Sequence, residues 1–282
     1  MQKTLKKYGI VFTGPTIIAF SLAFIVPFIM GIYLSFCEFT TVDNPEWVGF
    51  ANYIKCFTEK DNQFLLSLRF TALFAIVAIV TINLCAFGLA LLLTRKIRGT
   101  NAFRTIFFMP NLIGGIVLGY TWQQMLNAIL YHFDTTINSK TSFGYVGLLL
   151  LMNWQMIGYM MIIYIAGIQN VPTELVEAAK IDGATRWQTL RSVTIPMVMP
   201  SITICTFLTL SNSFKLFDQN LALTAGAPMH KTEMVALNIV NTMYGKNGYE
   251  GVGQAKALMF FIIVALVGLI QLTATRRKEV EQ

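Results

Sequence analysis

Six long stretches of the sequence contain no Asp, Glu, Lys or Arg, and they constrain the fold more than any other feature. They cover residues 10–36, 70–94, 105–133, 143–167, 192–214 and 257–275. A largely uncharged apolar run of about 18 residues or more is typical of a helix that spans a membrane. The sequence therefore predicts an all-α polytopic membrane protein with six transmembrane helices, so that both termini lie on the same side.

The composition supports this interpretation. Charged residues make up 12% of the chain and hydrophobic residues 55%, whereas a soluble domain carries about 25% charged residues. A single apolar run could also be a buried soluble helix, but six together disfavour that alternative. The first run is much longer than the roughly 7–15-residue core of a signal peptide, so we predict that it is a retained span.

Lysine and arginine cluster in alternate loops. The clusters are Lys3, Lys6 and Lys7; Arg95, Lys96, Arg98 and Arg104; Lys180, Arg186 and Arg191; and Arg276, Arg277 and Lys278. Because basic loops stay on the cytoplasmic side of a membrane, we predict cytoplasmic N- and C-termini. The clusters lie at membrane borders and are not interleaved with aromatic residues, so no nucleic-acid partner is predicted.

The cysteines and histidines do not form a pattern that indicates a metal site. No two cysteines are spaced as C-x-x-C, and the two histidines, His132 and His230, are isolated. Cys37 and Cys56 fall in the same predicted outer segment, and the sequence leaves open whether they are bonded. We find no nucleophile, paired acids or metal cluster, so we predict no catalytic residue.

One charged stretch, "EAAKIDGATRWQTLRSVTIP" at 177–196, interrupts the apolar sequence. Thr173 is a candidate N-cap for a first helix, and Gly183 can take the left-handed conformation that ends one. Thr185 and Gln188 have the spacing of a capping box that starts a second helix. An amphipathic helix on lipid headgroups is the alternative, but the alanine-rich face and acidic start favour docking to a protein.

This stretch resembles the EAA loop of permease subunits of binding-protein-dependent ABC importers. The matching residues are Glu177-Ala178-Ala179, Asp182-Gly183-Ala184, Trp187-Gln188, Pro196 and Pro200. Leu190 departs from the pattern, since the family often has an aromatic residue there.

Other stretches resemble the carbohydrate-uptake branch of that family, in particular the first of two permease subunits of oligosaccharide and glycerol-phosphate importers. They read "WVGFANYIKCF", "RKIRGTNAFRTIFFMPNLIGG", "IAGIQNVPTELVEAA" and "SFKLFDQNLALTAGAP". The resemblance extends over about residues 5–277. Ala225 and Ala227 stand in a loop where the family usually has more glycines.

The resemblance implies a type I importer permease in a bacterial or archaeal plasma membrane, with a cytoplasmic pair of coupling helices. We divide the chain into 1–64 (tail, first span and outer segment), a permease core at 65–275 with coupling helices at about 173–195, and a tail at 276–282. The implied partners are a second homologous permease subunit, two ATP-binding cassette ATPases and an extracytoplasmic solute-binding protein. The residues expected to couple to the ATPase are Glu177, Ala178, Ala179, Asp182, Gly183, Ala184 and Trp187.

The sequence contains no G-x-x-x-x-G-K-[ST] phosphate-binding loop. We therefore expect this chain to be a transport subunit and not an enzyme, with no cofactor of its own and with ATP and Mg²⁺ bound by the ATPase. Glu177 is the candidate for a charge contact with a basic residue of that partner.

Polar and aromatic residues inside predicted spans are candidates for the substrate pathway, because such groups are costly in lipid and suit sugar binding. They are Tyr120, Trp122, Gln123, Asn153, Trp154, Tyr159 and Asn212. Asn153 or Trp154 is the first choice, although each residue could instead serve hydrogen bonding between helices or an aromatic belt.

Two pairs in these spans have local interpretations. Lys215 and Asp218 are spaced to form an ion pair at the membrane edge. Gly115 and Gly119, four residues apart, favour close packing of helices, which we expect to be internal.

The sequence leaves other transport classes open as alternatives. An ion-driven secondary transporter would also have polar spans, but no Asp or Glu falls in any predicted span. Within the importer class, a glycerol phosphate or polyol competes with a sugar as cargo. The predicted pathway lacks an arginine cluster for phosphate, which favours a neutral sugar.

Overall fold

The computed structural model describes residues 13–58, 63–95 and 98–276, and nearly all of its regular structure is helical. The helices are α1 (Thr13–Leu34), α2 (Ala51–Thr58), α3 (Phe64–Leu93), α4 (Thr100–Phe108), α5 (Gly115–Leu130), α6 (Thr141–Gln169), α7 (Thr173–Ile181), α8 (Arg186–Met197), α9 (Met199–Phe214), α10 (Asp218–Leu223), α11 (Val235–Gly245) and α12 (Glu250–Arg276). Two-residue strands, β1 (Cys37–Glu38) and β2 (Glu46–Trp47), pair antiparallel. Short 3₁₀ turns follow α4 at Met109–Leu112 and α5 at Tyr131–Phe133.

Four of these helices, α1, α3, α6 and α12, are long and apolar enough to cross a membrane without a break. The other two predicted spans, 105–133 and 192–214, are bent and not straight. Helix α4 with its 3₁₀ turn meets α5 and the turn after it at 100°, and α8 meets α9 at 70°. The six predicted spans therefore correspond to four continuous helices and two bent pairs.

Each bend has a local backbone cause. Between α4 and α5, Ile113 and Gly114 have extended ψ angles of 131° and 139° and leave the helical region. Between α8 and α9, Val198 leaves the helical region shortly before Pro200, which lacks an N–H and cannot complete the helical hydrogen bonding. A hydropathy profile does not detect either bend, because the residues on both sides of it are apolar.

The structure forms two compact units. The first comprises residues up to 64 together with 239–261. In it, the buried Asn52 amide donates to the carbonyl oxygens of Ser35 (3.1 Å) and Cys37 (2.8 Å) and so connects α2 to the β1 end of the chain. Cys37 and Cys56 are both buried free thiols, which answers the question left open by the sequence. The predicted domain boundaries stay a prediction.

The second unit comprises residues 65–238 and those from 262 onward. Its core forms where one face of α6 packs on α3, with side chains such as Leu148, Leu151, Phe74 and Ile82 fully buried. At Gly158 in α6, an added Cβ would lie 1.8 Å from the Phe107 carbonyl oxygen. The α4 backbone can therefore approach α6 this closely only because residue 158 has no side chain.

Gly115 and Gly119 make a similar close contact inside the same unit. An added Cβ would lie 2.7 Å from the Asp218 Cβ at Gly115, and 2.5 Å from the Ala222 Cβ at Gly119. Their partner is thus α10 of the same chain, and the prediction of internal packing is confirmed.

The loop after α10 is held by a buried amide. Asn220 Nδ2 donates to the Thr232 carbonyl (2.8 Å), and its Oδ1 accepts from the Met234 N–H (2.9 Å). Within this loop Ala225 has a φ of +47°, in the left-handed region that favours glycine. The conformation that the family's glycines allow is therefore adopted here by an alanine.

Candidate coupling and translocation sites

Helices α7 and α8 form a tightly specified helix–turn–helix. Gly183 ends α7 with a φ of +78°, the left-handed conformation expected from the sequence. The Ala184 N–H donates to the Ala179 carbonyl (2.9 Å) and the Gly183 N–H to the Lys180 carbonyl (3.1 Å). These two bonds satisfy carbonyl groups at the end of α7, in the pattern of a Schellman motif.

The start of α8 confirms the predicted capping box. The Thr185 N–H donates to Gln188 Oε1 (2.7 Å), and the Gln188 N–H donates to Thr185 Oγ1 (3.3 Å). The prediction for α7 was wrong by one residue: Pro172 is the N-cap, and Thr173 is the first helical residue without a capping role. Proline suits this position because the ring fixes φ at about −65° and the missing N–H is not needed before the first turn of the helix.

The predicted coupling residues are largely uncovered. Glu177, Ala178, Asp182 and Gly183 are exposed, whereas Ala179 and Ala184 are half-buried against α8. Trp187 is 67% exposed, and Ile181, which the sequence did not single out, is 86% exposed. Large exposed apolar side chains on a well-formed polar helix pair are typical of an interaction surface for another protein or for a membrane.

A small polar cavity in the second unit is the structure's candidate for contact with cargo. We call it the polar pocket; its volume is about 160 Å³. Its lining residues are Asn111, Met152, Gln155, Met156, Asn212, Lys215, Leu216 and Gln219. They come from the 3₁₀ turn after α4, from α6, and from the continuous stretch that runs from the end of α9 into the start of α10.

Gln155 organises the polar pocket. Its Oε1 accepts from Gln219 Nε2 (2.9 Å), and its Nε2 donates to the Ile113 carbonyl (3.2 Å) at the bend between α4 and α5. Asn111 Nδ2 lies 3.8 Å from Met156 Sδ. The pocket therefore presents amide groups, the donors and acceptors that suit hydroxyl-rich ligands, on a wall of methionines.

Of the seven residues predicted for the pathway, Asn212 lies in the polar pocket. Trp122 and Trp154 lie together at a centroid distance of 5.8 Å, and Trp154 is 45% exposed. Tyr159 instead faces Phe108, with a centroid distance of 6.4 Å. The structure thus divides this set among several locations.

The remaining predicted pathway residues, Gln123, Asn153 and Tyr120, lie outside the polar pocket. Gln123 Nε2 donates to the Leu223 carbonyl (2.9 Å), which ties α5 to α10. Asn153 Nδ2 donates to the Leu149 carbonyl of its own helix (2.8 Å). Tyr120 is 53% exposed on α5. Their roles in transport stay predictions.

Sequence reasoning did not select Asn111, Gln155, Lys215 or Gln219 for the pathway. The signal available in the sequence was helical spacing. Met152 lies three residues before Gln155 and four before Met156, so one face of α6 carries all three side chains. That spacing identifies the face, but it does not show which other segments meet it.

The predicted Lys215–Asp218 ion pair is wrong, because no ion pair within 4.0 Å joins these described residues. Lys215 caps the end of α9 and Asp218 begins α10. The two residues therefore do not share a helix face.

Comparison with solved structures supports the all-α fold that the sequence predicts. A crystal structure of a bacterial ABC transporter involved in the import of the acidic polysaccharide alginate superposes with a TM-score of 0.81 at 19% sequence identity, over 98% of each chain. At that identity the likeness establishes a shared fold. This chain therefore has the same helical fold as a chain of that transporter.

The sequence comparisons place the chain in a family. Residues 100–279 match the family described as "Binding-protein-dependent transport system inner membrane component". The probable starch degradation products transport system permease protein AmyD of Thermoanaerobacterium thermosulfurigenes is 44% identical, over 96% of this chain and 94% of the relative. The multiple sugar-binding transport system permease protein MsmF of Streptococcus mutans serotype c is 31% identical, over 99% of both chains. The chain belongs to this family of inner membrane components.

Proposed function

We propose that this chain is the permease subunit of an ATP-driven sugar importer and forms half of a translocation pathway that works by alternating access. The observation that carries the proposal is the exposed, doubly capped α7–α8 pair in a chain of the binding-protein-dependent family. Family membership favours this function over the ion-driven secondary transporter that polar spans also allowed.

In this proposal α7 and α8 are the coupling helices. Glu177 makes a charge contact with a basic residue of the ATPase, and the uncovered side chain of Ile181 packs in the same cleft. Ala178 and Ala179 allow the partner to approach closely, and Gly183 keeps the two helices at a fixed angle. Asp182, Ala184 and Trp187 complete the set of coupling residues.

The proposed assembly contains two ATP-binding cassette ATPases, a second homologous permease subunit and an extracytoplasmic solute-binding protein. The family description supports dependence on a binding protein. The sequence lacks a phosphate-binding loop, so ATP and Mg²⁺ belong on the ATPase and this chain itself holds no cofactor. The basic clusters support cytoplasmic termini.

The proposed cargo is a neutral oligosaccharide. The polar pocket is rich in amides and contains no carboxylate among its lining residues, and the relative AmyD is named for starch degradation products. Tyr120, Trp122, Gln123, Asn153, Trp154 and Tyr159 remain proposed pathway residues beside Asn212. The Trp122–Trp154 pair offers the aromatic faces on which sugar rings stack.

Lys215 supports a second candidate cargo, a glycerol phosphate or related anionic polyol. It is the cation among the residues that line the polar pocket. Competition of a maltooligosaccharide and of glycerol 3-phosphate for uptake by the assembled transporter distinguishes the two candidates.

The coupling assignment is tested by Gly183→Pro in the complete transporter reconstituted in proteoliposomes. Proline cannot adopt a φ of +78°, and it lacks the N–H that donates to Lys180. We expect uptake to fall to background while the ATPase still hydrolyses ATP without responding to the loaded binding protein. The subunit should still insert into the membrane, because the change lies outside the spans.

Thr173→Pro is the matched control. It places a proline in the same helix pair, at the first helical position, where proline is tolerated. Uptake by this variant should stay close to wild type. Normal uptake by Gly183→Pro would disprove the coupling assignment, and equal loss in both variants would attribute the defect to proline itself.

A further inference from the structure

A groove of about 800 Å³ lies between the end of α3 and the α7–α8 pair, and we call it the basic groove. Its lining residues are Leu91, Thr94, Arg95, Val176, Lys180, Ala184, Arg186, Trp187, Thr189, Leu190 and Thr194. All of them belong to the second unit. It is separate from the polar pocket, with which it shares no residue.

The charged residues of the basic groove all have the same sign. Arg95, Lys180 and Arg186 are exposed, and the groove lining contains no Asp or Glu. None of the three cations has a carboxylate within 4.0 Å among the residues that the structure describes. Three unpaired cations around one groove favour an anionic occupant.

The rest of the lining is mostly apolar. Leu91 lies in the last turn of α3, which is long and apolar enough to span a membrane, so the groove opens where that span ends. Val176 and Leu190 extend the apolar wall, and the ring of Trp187 is largely exposed beside it. Cations next to an apolar surface with a tryptophan are typical of the interface between membrane and water.

On α7, the groove residues Val176 and Lys180 are not among the residues proposed to meet the ATPase, although Ala184 and Trp187 belong to both sets. Val176 and Lys180 are four residues apart and share one face of the helix. At about 100° per residue, Ala178 and Ile181 point to the opposite side. Ala178 and Ile181 can therefore contact the ATPase while the side of the groove formed by Leu91, Val176 and Lys180 stays open toward the membrane.

We propose that the basic groove binds an anionic phospholipid, with the phosphate held by Arg95, Lys180 and Arg186 and an acyl chain against Leu91, Val176 and Leu190. A bound lipid of this kind links the coupling helices to the membrane surface. This site is independent of which cargo the transporter carries.

The test uses the complete transporter in phosphatidylcholine nanodiscs that contain a photoactivatable phosphatidylglycerol. We expect the label to map to peptides around Leu91–Arg95 and 176–190. We expect the replacement of Arg95, Lys180 and Arg186 together by glutamine to reduce this labelling roughly a hundredfold. Each cation near a membrane surface contributes about 1 kcal/mol, which corresponds to a factor of about five in binding.

The matched control replaces Arg98, Arg191 and Arg276 by glutamine. These arginines are also exposed, but they do not line the groove. Labelling should be unchanged in the control, and size-exclusion chromatography should show intact complexes for both variants. Equal loss in both would attribute lipid binding to overall charge and overturn the proposal.

Two competition arms identify the occupant. Unlabelled phosphatidylglycerol should displace the label, whereas inorganic phosphate should not; displacement by inorganic phosphate alone would overturn binding of a lipid. Labelling that appears only when the ATPase is removed would show that the groove is a protein-docking surface, which would also overturn the proposal.

Discussion

The helix pair α7–α8 and the polar pocket differ in how far apart in the chain their contacts reach. In the helix pair, the bonds that set the turn join residues at most five positions apart, such as Ala184 and Ala179. In the polar pocket, Gln155 and Gln219 are 64 positions apart. A helix pair built from short-range bonds can keep its shape while the spans move, whereas the pocket exists only when three separate segments pack together.

Gly158→Ala tests the packing that forms the polar pocket, and we expect it to have the largest effect on stability. The added Cβ would lie 1.8 Å from the Phe107 carbonyl oxygen, so α4 and the 3₁₀ turn that carries Asn111 must move. We expect a loss of about 3 kcal/mol of stability, in the upper range for overpacking. Thermal unfolding of the purified subunit in detergent measures it.

Gly88→Ala provides the control for that prediction. It is also a helical glycine in a long span, but no atom lies within 4 Å of an added Cβ. Its melting temperature should be close to wild type. If Gly158→Ala melted like Gly88→Ala, the close packing of α4 on α6 would be refuted.

Gln155→Ala should have an intermediate effect, on transport more than on assembly. It removes the amide that bonds Gln219 and the Ile113 carbonyl. We expect KM for sugar uptake to rise about tenfold, as for the loss of about 1.4 kcal/mol of hydrogen bonding. Uptake kinetics in proteoliposomes measure the change.

Asn153→Ala sharpens the same comparison. The Asn153 amide bonds the Leu149 carbonyl of its own helix, so this change should affect KM less than Gln155→Ala. A greater effect at Asn153 would favour the sequence-based pathway hypothesis over the polar pocket.

Thr185→Ala tests the helix-pair side and should have the smallest effect. It removes the hydroxyl that accepts from the Gln188 N–H, which is worth about 1 kcal/mol at an N-cap. Hydrogen exchange should speed up at the start of α8 and not in α6. Thr185→Ser keeps the hydroxyl, so its amide hydrogens should exchange as in wild type. Faster exchange in α6 of the Thr185→Ala variant would show that the helix pair is not locally specified.

The accuracy of the sequence predictions follows the same division. Gly183 and the Thr185–Gln188 box were predicted correctly, because their geometry depends on neighbouring residues. The Lys215–Asp218 pair was predicted wrongly because α9 ends at Phe214 and α10 begins at Asp218, so no single helix carries both residues. Of the residues around the polar pocket, only Asn212 had been selected for the pathway, since spacing in one helix does not reveal which other segments approach it.

By itself, the sequence determined the helical class, the positions of the apolar spans and the capped turn at 182–185, because hydropathy and capping act over a few residues. Tertiary structure decided that the α4 backbone packs directly against Gly158 of α6 and that Gln155 bonds Gln219. These features depend on backbone approach and on side-chain partners from distant segments, which only packing brings together.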